Sequence, residues 1–202
     1  MKVIEQLLSN AGISPIAGVD EAGRGACAGP LVIASVVLTD PFAAELAVVR
    51  DSKEIAENKR DAVFDLIHHL AAAVSVIIVP ASEVDSRGVH AANLDGMRRA
   101  VQGLTVEPAY VLTDGYAIEG LGVPNLAVWK GDQVVVSISA ASVVAKVVRD
   151  RIMREMDVEF PQYGFAGHKG YITAAHTQAL EEHGPCAQHR RSFANIAALI
   201  HK

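Results

Sequence analysis

Three short apolar runs in this chain each lead into a carboxylate that stands beside or near a glycine, and that repetition restricts the fold more than any bulk property. Ile16-Ala17-Gly18-Val19 leads into Asp20-Glu21, with Gly23, Arg24 and Gly25 close behind; Ala109 to Thr113 leads into Asp114-Gly115; Leu126 to Trp129 leads into Lys130-Gly131-Asp132. Runs of this length and polarity read as buried strands. If the three strand ends are neighbours, four carboxylates meet, and such a cluster is costly because like charges repel and each loses hydration. A bound cation offsets that cost. An all-oxygen donor set selects hard divalent ions such as Mg²⁺ or Mn²⁺, and a pair of them about 4 Å apart suits phosphoryl transfer. Taken singly, each acid reads better as a turn former or helix cap. Asp20 and Glu21 are adjacent, so in a strand they point to opposite faces, and joint ligation needs the bend that the following glycines permit.

Around these ends the pattern predicts strands at about 16–20, 30–38, 74–79, 109–114 and 126–129. Asp51-Ser52 is placed to cap a helix whose apolar positions are Ile55, Val63, Phe64, Ile67 and Leu70. Helices are also predicted over 93–104, 137–156, 173–183 and 192–200. In the longest, Ile138, Ala141, Ala145, Val148 and Ile152 share one face and Ser139, Ser142, Lys146 and Arg149 the other. Strand and helix alternate in the middle and helices dominate the end, which gives an α/β class with a mixed sheet.

The chain has 202 residues, half of them apolar, enough for one sizeable core. No apolar run approaches the roughly 20 residues of a membrane span, and the acidic Glu5 interrupts any leader-like start, so a cytoplasmic protein is expected. Cys27 and Cys186 lack the spacing of a disulfide framework or zinc site and read as small packed residues. A net charge of −5 argues against binding nucleic acid through bulk electrostatics. Its distribution is uneven, with 10 basic and 17 acidic residues in 1–140 against 8 and 6 in 141–202.

Six ordered blocks carry a family resemblance: Asp20-Glu21-Ala22-Gly23-Arg24-Gly25 with Ala28-Gly29-Pro30, Asp51-Ser52-Lys53, Thr113-Asp114-Gly115, Lys130-Gly131-Asp132, Ser139 to Val147, and Arg149-Asp150-Arg151. Together they resemble bacterial ribonuclease HII, from residue 16 to about 193. The resemblance implies an RNase H-like fold, with a mixed central sheet flanked by helices in a core of about 14–157 and a helical, substrate-contacting extension over 158–202, all in one catalytic domain. It implies an endonuclease that hydrolyses the RNA strand of RNA–DNA hybrids and cuts 5′ of ribonucleotides embedded in duplex DNA, leaving 3′-hydroxyl and 5′-phosphate ends, a role in ribonucleotide excision. The family's metal-binding and catalytic acids fall on Asp20, Glu21, Asp114 and Asp132, expected to hold Mg²⁺ or Mn²⁺, two ions with substrate bound. Its 2′-hydroxyl-sensing element falls on Gly23-Arg24-Gly25, and its junction-sensing tyrosine on Tyr171. The chain differs from many relatives at Ala26, where proline is frequent, and at Ile172, where glycine is usual.

Lys53, Lys146 and Arg149 are candidate phosphate contacts, though each reads equally as part of a solvated helix face. Asp150 is placed either to orient a basic residue or to pair four positions along its helix. His168, His176, His183 and His189 show no compact zinc spacing, so no zinc is expected. No aromatic clamp-binding motif occurs in Ala197 to Lys202, and a monomer without a sliding-clamp partner is expected. Two other functions remain open at this point: a DNA junction resolvase, which needs the acids but no 2′-hydroxyl reader, and a non-catalytic hybrid-binding module.

Overall fold

The computed structural model describes residues 3–49, 52 and 55–200. Among these, helix α1 (Val3–Asn10) precedes strands β1 (Ile16–Ala22) and β2 (Leu31–Leu38), helix α2 (Glu57–Leu70) and strand β3 (Ala71–Val79). Helices α3 (Ala81–Arg87) and α4 (Val89–Gln102) lead to strands β4 (Tyr110–Asp114) and β5 (Asn125–Val128). Then come α5 (Gly131–Val134), the long α6 (Val136–Glu159), α7 (Phe165–His168), α8 (Ala174–His183) and α9 (Ala194–Ile200).

The sheet order is β3-β2-β1-β4-β5, with β1–β2 and β2–β3 antiparallel and β1–β4 and β4–β5 parallel. This is the mixed sheet that the alternation of elements predicts. β2 is buried along its whole length, as its unbroken apolar run requires of a strand covered on both faces. On one face, Val32, Ala34 and Val36 pack with Val63 and Ile67 of α2 and with Val136 to Val147 of α6. On the other, Ala17, Val19, Leu31 and Ile33 pack against Val84 of α3 and Met97 and Ala100 of α4. A separate cluster of Met153, Tyr163, Phe165, Leu180 and Ile196 joins the C-terminal helices to the end of α6.

Several element ends differ from the sequence expectation. β1 continues past the expected end at Asp20 to Ala22, because Glu21 and Ala22 still pair with Ile33 and Val32, so Glu21 too lies inside the strand rather than after it. β3 begins three residues early, at Ala71. α4 begins at Val89, just after Gly88, whose φ of 80° stops α3. α2 starts at Glu57 with no side-chain cap, and Asp51 lies outside the described residues. α6 is not a two-faced surface helix over its first three turns: every residue from Val136 to Ala145 is buried. Gly18 of β1 permits this close packing, since a Cβ there would lie 2.1 Å from the Ser137 carbonyl carbon. The cap of α6 comes from outside its own sequence. The buried Glu5 carboxylate of α1 accepts the Val136 and Ser137 N–H groups at 3.0 and 2.9 Å, satisfying two donors at the helix start.

Candidate active site

Parallel pairing brings the first two acids together. Val19 is registered with Thr113, so the next residues, Asp20 and Asp114, stand side by side at the ends of β1 and β4. β5 continues the alignment, with Val128 opposite Asp114, and the chain then turns through Lys130 (φ 54°) into α5, which carries Asp132 in its first turn. Asp114 Oδ1 accepts the Gly131 N–H at 2.7 Å, and the Ser139 hydroxyl of α6 donates to the Asp132 carbonyl at 2.6 Å. β4, α5 and α6 are thereby tied at the point where the acids meet. Asp20, Asp114 and Asp132 each offer a carboxylate oxygen, all within 4.8 Å of one another. Glu21, the next residue of β1, does not join this tight group but borders the same cavity.

Electrostatics matches the geometry. Asp20 is buried, and its carboxyl is held well above the usual carboxylate range, first by loss of hydration and then by the charges of Glu21 and Asp114. Its Oδ1 accepts the Glu21 N–H at 2.7 Å, which pulls the other way without overcoming burial. Three converging carboxylates, one of them unable to ionise comfortably alone, make an oxygen donor set fitted to a hard divalent cation.

A cavity of about 420 Å³ opens beside the acids, bordered by Asp20, Glu21, Gly23, Arg24, Gly25, Ser52, Ser142, Lys146 and Tyr171. The structure therefore gathers Gly23, Arg24, Gly25, Lys146 and Tyr171 around the carboxylates. Lys146 reaches it from α6, where its Nζ lies 2.6 Å from Asp150; desolvation nevertheless lowers its pKa. Asp150 also meets Arg60 at 3.5 Å. Ser142 and Ser52 join hydroxyls at 3.1 Å on the cavity wall. Lys53 lies outside the described residues.

Arg149 corrects the sequence reading of a phosphate contact. It is wholly buried and its guanidinium is consumed by three carbonyls: Nε on Pro30, Nη1 on Lys169 and Nη2 on Ala28, at 2.9–3.1 Å. Arg190, which the sequence did not single out, is its counterpart. It donates to the Gly29 carbonyl from Nε and Nη2 and to the Arg24 carbonyl from Nη1. Burial pushes the Arg190 pKa down to about 10, and the same cause lowers Arg149. Each is affordable inside the protein because carbonyls replace the lost water. The two arginines clamp the Gly23–Pro30 loop from beneath. Gly23 is fixed by this arrangement: its φ is 85°, and a Cβ would lie 1.8 Å from Arg149 Nε. The Arg149 guanidinium also sits 5.5 Å from the Tyr171 ring centre.

His168, His176 and His189 converge under the same loop, which their spacing did not disclose. The Cys186 N–H donates to His189 Nδ1 at 3.0 Å, which leaves the His189 proton on Nε2. That proton goes to His176 Nε2 at 3.1 Å, and His176 Nδ1–H donates to the Tyr171 carbonyl at 2.9 Å. His168 stacks on His176 with ring centres 4.1 Å apart. Burial, then the neighbouring His176, lowers the His189 pKa to about 4, and His176 is lowered chiefly by burial. Cys27 is buried in this cluster and Cys186 lies at its edge.

The sequence model of the family described as Ribonuclease HII matches residues 17–196. A protein of Acidothermus cellulolyticus named Ribonuclease HII is 57% identical over 192 residues; the aligned part is 95% of this chain and 62% of that protein. A protein of the same name from Mycolicibacterium smegmatis is 54% identical over 97% of this chain and 72% of its own length. Among solved structures, ribonuclease H2 from Pyrococcus horikoshii superposes with a TM-score of 0.78 at 25% identity, covering 91% of this chain and 96% of that one.

Proposed function

Because the chain belongs to the ribonuclease HII family, we propose that it is a metal-dependent endoribonuclease acting on the RNA strand of RNA–DNA hybrids and 5′ of ribonucleotides embedded in duplex DNA, and leaving 3′-hydroxyl and 5′-phosphate ends. The observation that carries this reading is the meeting of Asp20, Asp114 and Asp132, from three separate elements, in one cavity with the Gly23-Arg24-Gly25 loop. The acids alone would suit many nucleases. The adjoining glycine loop is the part that suits RNA.

Asp20, Asp114 and Asp132, with Glu21 at their edge, are the residues that would hold Mg²⁺ or Mn²⁺, two ions when substrate is present. Bound there, such ions would lower the pKa of water and offset the negative charge that develops in phosphoryl transfer. The protein's own residues do the rest by placement. Gly23 and Gly25 have no side chain to hold a sugar away, so the loop backbone can approach the ribose 2′-hydroxyl, the group that distinguishes RNA from DNA. Arg24 and Lys146 supply positive charge for the phosphates, as does Lys53 in this reading. Tyr171 is 40% exposed on the cavity wall and presents a ring face on which a nucleotide can rest. A side-chain nucleophile is not required, because water attacks phosphorus and the 3′-oxygen departs.

The decisive assay is a labelled duplex containing one ribonucleotide, incubated with Mg²⁺, with Mn²⁺ and with EDTA, alongside a DNA-only four-way junction. Cleavage 5′ of the ribonucleotide with either ion, none with EDTA and none of the junction is the expected result. Cleavage of the junction would favour a resolvase. Binding of the hybrid without any cleavage would favour a hybrid-binding module. We place the activity in the cytoplasm with the protein acting as a monomer; no described helix is long and apolar enough to cross a membrane.

A further inference from the structure

The acids are bordered by a second cavity, whose lining does not include Tyr171. Its volume is about 470 Å³, and it shares Glu21, Arg24, Asp114 and Asp132 with the first cavity while adding Tyr116, Trp129 and Lys130. Trp129 is the chain's single tryptophan and is 82% exposed. It follows directly on Val128, the residue paired with Asp114, so β5 delivers the indole to the rim of the acid cluster. Lys130, in a left-handed turn, is exposed beside it. On the inner wall the Arg24 guanidinium lies 4.8 Å from the Tyr116 ring centre, which ties the ribose-sensing loop to this side as well.

We propose that Trp129, with Lys130, forms a second nucleic-acid subsite that holds the sugar-phosphate backbone on the side of the cleavage point opposite Tyr171. The inference rests on the hybrid-cleaving reading above. A phosphodiester cut at the acids has backbone on both sides of them; one side is met by Gly23–Gly25 and Tyr171, and the other must cross the second cavity. The chemistry there suits such an occupant. In a duplex the bases are paired, so the surfaces offered to a side chain are apolar sugar faces and anionic phosphates; an exposed indole packs on the first and a lysine meets the second. Among the described residues nothing buries the indole, which is 82% exposed, and its exposure adds no stability, so substrate is the partner that gives it a role.

The test uses the intact protein and the duplex with one ribonucleotide. Covering about 60 Å² of the ring corresponds to roughly a tenfold change in affinity. Trp129→Ala is therefore expected to raise KM about tenfold with kcat little changed, the pattern of lost uniform binding, while Trp129→Phe restores most of the loss. An exposed position makes both variants safe for folding, which an unchanged melting temperature verifies. As the chain has one tryptophan, rapid mixing of the parent with the duplex gives a second readout: indole emission changes during binding, before product forms. A KM for Trp129→Ala equal to the parent's, or emission that stays flat through turnover, overturns the proposal. A parent that cuts no ribonucleotide-containing duplex brings down the functional reading itself, whereas a parent that cuts normally beside an unaffected Trp129→Ala brings down this subsite alone.

Discussion

Replacing Asp20 by asparagine separates the two costs on which the site depends. Oxygens of Asp20, Asp114 and Asp132 lie within 4.8 Å of one another, and at an effective dielectric of about 20 a charged pair at that separation repels by roughly 3 kcal/mol. Part of this is already relieved, because Asp20 binds a proton more readily than an ordinary carboxyl. A net gain of about 2 kcal/mol for the metal-free Asp20→Asn protein follows, since the amide keeps an oxygen for the Glu21 N–H. For a chain of this size that corresponds to a rise of about 4–8 °C in Tm. The pH dependence has a definite sign. With its folded pKa raised, Asp20 is harmless to stability below the unfolded carboxylate pKa and increasingly costly as pH climbs toward the folded value, so the variant's advantage widens with pH. Thermal melts of both proteins in EDTA across pH, repeated with Mg²⁺, measure this. Mg²⁺ is expected to raise the parent's Tm and to do little for the variant, whose cleavage rate falls by a factor on the order of 10³. A variant that melts several degrees below the parent in EDTA would refute the reasoning and make Asp20 a structural hydrogen-bonding residue.

Arg149→Lys leaves at least two of three buried carbonyls without their donors and should cost about 3 kcal/mol in denaturant unfolding, and an unchanged midpoint would contradict the clamp. His189, with its pKa held down to about 4, contributes stability that is complete above the unfolded histidine pKa and is lost as pH falls toward 4. Urea melts should lose roughly 2 kcal/mol over that window after allowance for screening, and the loss should shrink in His189→Gln; equal pH profiles for the two proteins would exclude it. Tyr171→Ala should slow cutting at an isolated ribonucleotide more than cutting of a continuous hybrid, and equal slowing of both would remove Tyr171 from junction sensing.

The parts of the site that were legible in the sequence are those whose signal is local. An apolar run, an acid and a glycine within a few residues announce a strand end, and parallel register then aligns Asp20 with Asp114 without further information. Even so, local pattern misplaced the end of β1, since whether Glu21 and Ala22 belong to the strand depends on partners in β2 that no local window contains. The illegible parts have distant partners. Glu5 caps a helix 131 residues away, and Arg190 reaches the Arg24 carbonyl across 166. The histidine series gives no spacing signal because its members are linked through backbone groups of Cys186 and Tyr171 as much as through each other.

Lys146 and Arg149 show why burial, rather than residue type, assigns the role. They lie three positions apart in α6 and look alike in sequence, yet Lys146 borders the cavity while Arg149 is sealed beneath the loop. The difference arises because Met153, Phe165, Leu180 and Ile196 build a C-terminal cluster over the second half of α6 and carry the Lys169 carbonyl onto Arg149. That packing joins the Gly23–Pro30 loop, Arg149, Arg190 and Tyr171 into one unit, whereas the acids are held by the sheet and α5. In the function proposed above, the loop assigned to ribose and the acids assigned to hydrolysis therefore rest on different packing. Damage to the C-terminal cluster is expected to blur the distinction between ribonucleotide and deoxyribonucleotide before it abolishes metal-supported cleavage, an order that Met153→Ala would reveal by losing selectivity at a metal-dependent Tm rise equal to the parent's.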